Sequence, residues 1–149
     1  MAMRALVLNG PNLRRLDLRE KSIYGDFDYK ALEDFVAAAG KDLEIDTEIR
    51  QTDDESQLVG WLHEAADKKL PVIINPAAFT HYSYAIRDAV LMLKAPVIEV
   101  HLSNPLSREE FRHTSVVSGV VNGTISGFGL NSYRLALIAM KSLLADLAK

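Results

Sequence analysis

Three short apolar runs constrain this chain most: Leu6-Val7-Leu8, Val72-Ile73-Ile74 and Val97-Ile98. Each passes directly into a polar cluster: Asn9-Gly10-Pro11-Asn12, Asn75 through His81, and Glu99 through Asn104. Brief, continuous apolar runs fit strands buried on both faces, as in a parallel sheet. Ligands of open parallel α/β sheets sit outside the carboxyl ends of the strands. Amide, imidazole and hydroxyl groups from distant parts of the chain are therefore expected to converge on one polar site.

The stretches between the runs have helical spacing. Leu32, Phe35, Val36, Ala39 and Leu43 predict a helix over Tyr29–Leu43. Thr52-x-x-Glu55 reads as a capping box opening a helix through Leu58, Leu62, Ala65 and Ala66. A third helix is expected over Tyr84–Leu93, with Thr80 or Ser83 as its cap. Ser107-x-x-Glu110 marks a short helical turn. Leu130, Tyr133, Leu137, Met140, Leu144 and Leu147 predict a carboxyl-terminal helix. Strands are expected at Arg4–Asn9, Asp46–Thr52, Pro71–Asn75, Pro96–His101 and Val120–Gly127. This alternation implies an α/β fold with helices on both faces of a parallel sheet. The order 2-1-3-4-5 is expected, because it sets strands 1, 3 and 4 side by side at the switch point. Residues 10 to 28 show no period and many charges, so they are expected to form a functional lid or to lack fixed structure.

With 149 residues, 48% of them hydrophobic, the chain suits one domain with a real core. Its net charge of −3 does not suggest non-specific nucleic-acid binding, which needs clustered cations. The absence of cysteine excludes thiol chemistry and a disulfide framework. The first apolar run is too short for a secretory segment, and no stretch approaches membrane-spanning length. A soluble cytoplasmic protein is expected. The four histidines lack metal-ligand spacing. There is no Walker sequence, no Gly-x-Gly-x-x-Gly and no Gly-x-Ser-x-Gly elbow.

Glu99, His101 and Ser103 alternate along one strand and share a face. A carboxylate beside an imidazole suits a general acid or base, although a polar strand end with a satisfied histidine has the same pattern. Asn75 and His81 flank a turn of small residues that lets backbone approach a ligand. Tyr24 serves as a base near neutral pH only beside a cation such as Arg19. Arg108 and Arg112 offer further positive charge, and a solvated charged loop is the alternative for this whole group. His63 and His113 receive no role.

Taken together, Leu8-Asn9-Gly10-Pro11-Asn12-Leu13, Arg19-Glu20 with Tyr24-Gly25, and Asn75-Pro76 through Thr80-His81-x-Ser83 resemble the type II 3-dehydroquinate dehydratases. Arg87-Asp88-Ala89, Ile98 through Asn104, Arg108-Glu109-x-Phe111-Arg112, Gly127-x-Gly129 and Tyr133-x-Leu135-Ala136-Leu137 extend the resemblance over almost the whole chain. It implies a single flavodoxin-like domain over residues 1–149. It further implies dehydration of 3-dehydroquinate to 3-dehydroshikimate by trans elimination through an enolate, without cofactor, metal or Schiff base. In that scheme Tyr24 removes the C2 proton and Arg19 keeps it ionised. His101, oriented by Glu99, protonates the departing C1 hydroxyl, which Asn75 helps to hold. Asn12 positions a water against the enolate oxygen. Leu102 and Ser103 bind the carboxylate, and Arg112, His81 and Asp88 hold the remaining hydroxyls. Asp88 comes from a neighbouring subunit of a homododecamer built from four trimers. The chain departs from the family's pattern at Asp17 and Lys21 in the lid, at Tyr82 and Tyr84, and at Ser132 and Arg134. Those departures are expected to touch lid closure and assembly rather than the reaction. Two readings compete: a flavodoxin-like nucleotide or flavin module, against which the missing phosphate loop counts, and a dehydratase-like hydroxy-acid binder with a drifted role, against which intact Arg19, Tyr24 and His101 count.

Overall fold

A computed structural model describes residues 3–149. Its sheet consists of β1 (Met3–Asn9), β2 (Ile45–Gln51), β3 (Val72–Asn75), β4 (Val97–His101) and β5 (Gly123–Ser126). All neighbouring strands are parallel, in the order β2-β1-β3-β4-β5. The helices are α1 (Lys21–Tyr24), α2 (Tyr29–Asp42), α3 (Glu55–Lys68), α4 (Tyr84–Leu91) and α5 (Asn131–Leu147). Sheet order and alternation are those expected from the pattern of apolar runs.

Strand alternation divides the core. Leu6 and Leu8 face α3 and α4, where they meet Leu58, Leu62, Ile86 and Val90. Ala5 and Val7 face α2 and α5, where Leu32, Val36, Leu137 and Met140 close over them. A strand with both faces covered has no polar side until it ends, which explains the unbroken runs. Register then aligns the ends. Asn9 pairs with Asn75, and Ile74 pairs with Glu99, so the first polar residues after the three runs fall within one residue of each other across the sheet.

Gly10 makes that convergence possible. A Cβ there would stand 2.6 Å from the Pro76 carbonyl oxygen. Its N–H donates to the Asn75 carbonyl at 2.8 Å, so the β1 and β3 exits are held in contact.

Several local expectations need correction. Thr52 does not cap α3. Its N–H donates to the Asn9 carbonyl, which ties it to the end of β1 just past β2; Asp54 is the cap, accepting from the Ser56 N–H at 2.9 Å. Ser83 rather than Thr80 caps α4, accepting from the Ile86 N–H at 3.0 Å. Thr80 lies instead in a 3-10 turn over Ala77–His81. Asn104, not Ser107, opens the segment after β4, where two 3-10 turns, Pro105–Ser107 and Glu110–His113, replace a helical turn. β5 is shorter than the expected Val120–Gly127. Ser118–Val120 forms a 3-10 turn, and Gly127 leaves the sheet at φ +95°.

The charged lid is ordered too. Leu13–Leu18 forms a 3-10 helix with a kink at Arg15, followed by the single turn of α1. Leu13, Leu16 and Tyr24 are buried against the α2–α5 core. Asp17 pairs with Arg15, and Lys21 with Asp26, at exposed positions within the segment. Exposed pairs of this kind add little, so the lid's place is set by its three apolar anchors.

Candidate active site

The exits of β1, β3 and β4 open into a cleft of about 110 Å³, roofed by the lid and the segment after β4. Nine of the eleven residues singled out from sequence line it: Asn12, Arg19, Tyr24, Asn75, His81, His101, Leu102, Ser103 and Arg112. Glu99 lies behind His101. Asp88 is the exception, exposed on α4 and outside its own chain's cleft.

Tyr24 comes from the lid with its ring buried. Its phenolic oxygen meets Arg19 Nη2 from the same segment and Arg108 Nη2 at 2.5 Å from the far wall. The guanidinium carbons stand 4.0 and 4.8 Å from the ring centroid. Guanidinium groups only donate, so the oxygen accepts from two cations. An oxygen placed between two such donors is positioned to act as a base. Arg108 Nη1 also donates to Ser103 Oγ at 3.2 Å, which ties the base to the end of β4.

The opposite side is built on β4. Glu99 is 1% exposed. Its Oε2 contacts His101 Nε2 and its Oε1 accepts from Ser118 Oγ at 2.8 Å. A carboxylate accepts, so Nε2 carries the proton and Nδ1 is the ring nitrogen left for the cleft.

Asn75 is fixed by an ordered set of donors. Its Oδ1 accepts from the Ala77 N–H at 3.1 Å, and its Nδ2 donates to the Tyr133 hydroxyl at 3.0 Å. Tyr133 donates in turn to Asn9 Oδ1 at 2.5 Å. Burial pushes the Tyr133 phenol well above its ordinary range, so it works as a neutral hydroxyl. One Nδ2 hydrogen of Asn75 remains for a ligand.

His81 is oriented the same way. Its Nδ1 lies 2.7 Å from the Thr114 carbonyl and must therefore donate. Burial, the largest influence, lowers its pKa below the usual histidine value, which favours neutral imidazole with Nε2 free to accept from a hydroxyl. Arg112 is steadied by Glu109 at 3.0 Å. Asn12 adopts left-handed backbone at φ 70°, with its N–H held by Asp53 Oδ1 at 2.8 Å. Gln51 bridges Asp53 and the Gly10 carbonyl, so the end of β2 anchors the lid's hinge.

Sequence reasoning noted Arg108 only as further positive charge; the structure brings it to the base. It also missed the supports, Ser118 behind Glu99 and Tyr133 with Asn9 behind Asn75. Only the Arg108–Arg112 spacing offered any signal. Among the described residues, no group of three or more His, Cys, Asp or Glu side chains is arranged to hold a metal ion, and no helix is long and apolar enough to cross a membrane.

The Dehydroquinase class II family model matches residues 3–141. A 3-dehydroquinate dehydratase of Salinispora tropica is 55% identical over 135 residues, covering 91% of this chain and 94% of that protein. One from Dictyoglomus turgidum is 51% identical over 138 residues, covering 93% and 95%. The crystal structure of the type II dehydroquinase of Propionibacterium acnes superposes with a TM-score of 0.92 at 53% identity, covering 95% of this chain and 98% of that one. With nearly its full length matched in both sequence and structure, the chain belongs to the class II dehydroquinase family.

Proposed function

We infer that this protein is a 3-dehydroquinate dehydratase, a lyase that removes water from 3-dehydroquinate to give 3-dehydroshikimate. One observation carries the reading: a tyrosine oxygen held between two guanidiniums faces the same small cleft as a carboxylate-backed imidazole. That pairing supplies a base for a carbon acid and an acid for a leaving hydroxyl.

In this reading Tyr24 phenolate takes the C2 proton, and the electron pair moves into the C3 carbonyl to form an enolate. Asn12 holds a water against the enolate oxygen. The enolate then expels the C1 hydroxyl. His101, carrying a proton on both ring nitrogens with Nε2–H held by Glu99, gives its Nδ1 proton to that group, while Asn75 donates to it. The C1 carboxylate sits on the Leu102 and Ser103 amides with the Ser103 hydroxyl. Arg112 and His81 Nε2 take the ring hydroxyls. Neither a metal nor an imine is needed, since the enolate is stabilised by hydrogen bonding and the leaving group by protonation.

Borohydride distinguishes this route from an imine route. Treating the protein with 3-dehydroquinate and borohydride is expected to leave activity and mass unchanged. No lysine lines the cleft, and Lys21 is exposed. A substrate-sized mass gain on a lysine would contradict the mechanism.

The enzyme is proposed to work in the cytoplasm as a homododecamer of four trimers, with Asp88 completing a neighbour's site. Tyr84, Asp88 and Leu91 share one face of α4, and the two apolar members are 69% and 59% exposed. Exposed apolar side chains beside Asp88 support a face covered by a neighbouring subunit. Tyr24→Phe and Asp88→Ala variants, each inactive alone, should therefore complement each other when co-refolded. A random equal mixture gives both native residues to about a quarter of sites, because each chain pairs independently with its neighbours. No recovery in confirmed hybrid oligomers would mean that Asp88 serves its own chain or none.

A further inference from the structure

Glu99 is a carboxylate almost fully removed from water, so its charge depends on the donors it meets. The structure gives two side-chain donors, His101 on Oε2 and Ser118 on Oε1. Ser118 does not line the cleft. It sits in the 3-10 turn Ser118–Val120, between β4 and β5 in the chain.

The hydrogen-bond directions are fixed by counting protons. Ser118 Oγ is 2.8 Å from both Glu99 Oε1 and Ser115 Oγ. It has one hydrogen, and the carboxylate oxygen can only accept. Ser118 therefore donates to Glu99, and Ser115 donates to Ser118. Ser115 Oγ also accepts from the Ser118 N–H at 2.9 Å and the Val117 N–H at 3.1 Å, which locks the turn. The turn is nailed down on both sides. Val117 is fully buried, the Val116 N–H donates to the Thr80 carbonyl at 2.8 Å, and Arg87 Nη1 donates to the Val116 carbonyl at 3.0 Å. So much fixation places one hydroxyl against one oxygen of a buried carboxylate.

We propose that Ser118 is a positioning residue for the dehydration: its hydroxyl holds Glu99 so that Oε2 meets His101 Nε2, and it carries part of the carboxylate's charge. The proposal rests on the reading of His101 as the proton donor. With the Ser118 hydroxyl in place, Glu99 divides its charge between two donors. Without it, the buried carboxylate leans on His101 alone and binds the imidazolium more tightly. A more tightly held imidazolium is a weaker acid toward the leaving hydroxyl. The other titratable and charged groups lining the cleft with His101 are Arg19 and Tyr24 from the lid, His81 from the turn after β3, and Arg108 and Arg112 from the segment after β4, while Arg87 from α4 is engaged by the Val116 carbonyl. A substitution at Ser118 removes none of these charges, and Ser118→Thr separates loss of the hydroxyl from disturbance of its contact with Ser115.

The test pairs a histidine titration with kinetics. Selective ¹³C labelling of the histidine rings gives four resonances, and the one missing in His101→Gln belongs to His101. In Ser118→Ala its titration midpoint should rise by roughly half a pH unit to one unit, as loss of a hydrogen bond to a charged partner implies. kcat should fall roughly tenfold, and KM should stay within about twofold, because Ser118 does not touch substrate. Ser118→Thr keeps a hydroxyl on the same carbon and should restore both kcat and midpoint. An unmoved midpoint in folded Ser118→Ala, or a Ser118→Thr variant as impaired as Ser118→Ala, would overturn the positioning role. Near-normal turnover in His101→Gln would overturn the parent reading, and it does so without reference to the Ser118 titration.

Discussion

Tyr24→Phe is expected to lower kcat by at least about two orders of magnitude, the usual cost of removing a general base. The substitution deletes one oxygen and keeps a ring that already packs among Leu13, Leu16 and the α2–α5 core. The fold should therefore hold, and the loss should fall on turnover rather than on binding. The oxygen is the group on which Arg19 and Arg108 converge, so Arg108→Ala should be costly too, by roughly ten- to a hundredfold in kcat. Steady-state kinetics on purified, folded variants check both. Turnover within a fewfold of the parent in Tyr24→Phe would remove Tyr24 from the base role.

The other wall gives an effect of similar size. His101→Ala should lower kcat by about two orders of magnitude or more, because the departing hydroxyl then leaves without a positioned acid. Glu99→Gln should lie between that variant and the parent. An amide keeps the shape of the carboxylate but loses the charge that sets the His101 tautomer and favours its imidazolium. The order parent, Glu99→Gln, His101→Ala in kcat is the expected result. A Glu99→Gln variant with parental turnover would show that the carboxylate is only a structural partner.

The sheet and most of the cleft were legible because both follow from periods. Leu6-Val7-Leu8 and Val72-Ile73-Ile74 are buried on both faces, and that requirement writes itself directly into sequence. The polar residues at their ends stand out against the runs, which is why Asn75, Glu99 and His101 were identifiable. The lid was not legible as ordered structure. Its anchors, Leu13, Leu16 and Tyr24, span turns too short to produce a helical period, and they pack on elements far along the chain. Arg108 escaped for a related reason: the oxygen it meets lies 84 residues away, and nothing local distinguishes it from a solvated arginine. Tyr133 reads as one more apolar position of α5, yet its hydroxyl joins Asn75 to Asn9. Thr52-x-x-Glu55 satisfies the capping pattern, yet the bond from the Thr52 N–H to the Asn9 carbonyl ties that residue to the end of β1 and Asp54 takes the cap.

This cleft is expected to dehydrate 3-dehydroquinate using its own side chains. Purified protein mixed with 3-dehydroquinate should develop the ultraviolet absorbance of a conjugated enone. The rate should scale with enzyme concentration, be unaffected by a chelator and collapse in Tyr24→Phe. A flat absorbance trace from folded protein, or a rate that Tyr24→Phe leaves intact, would contradict the account.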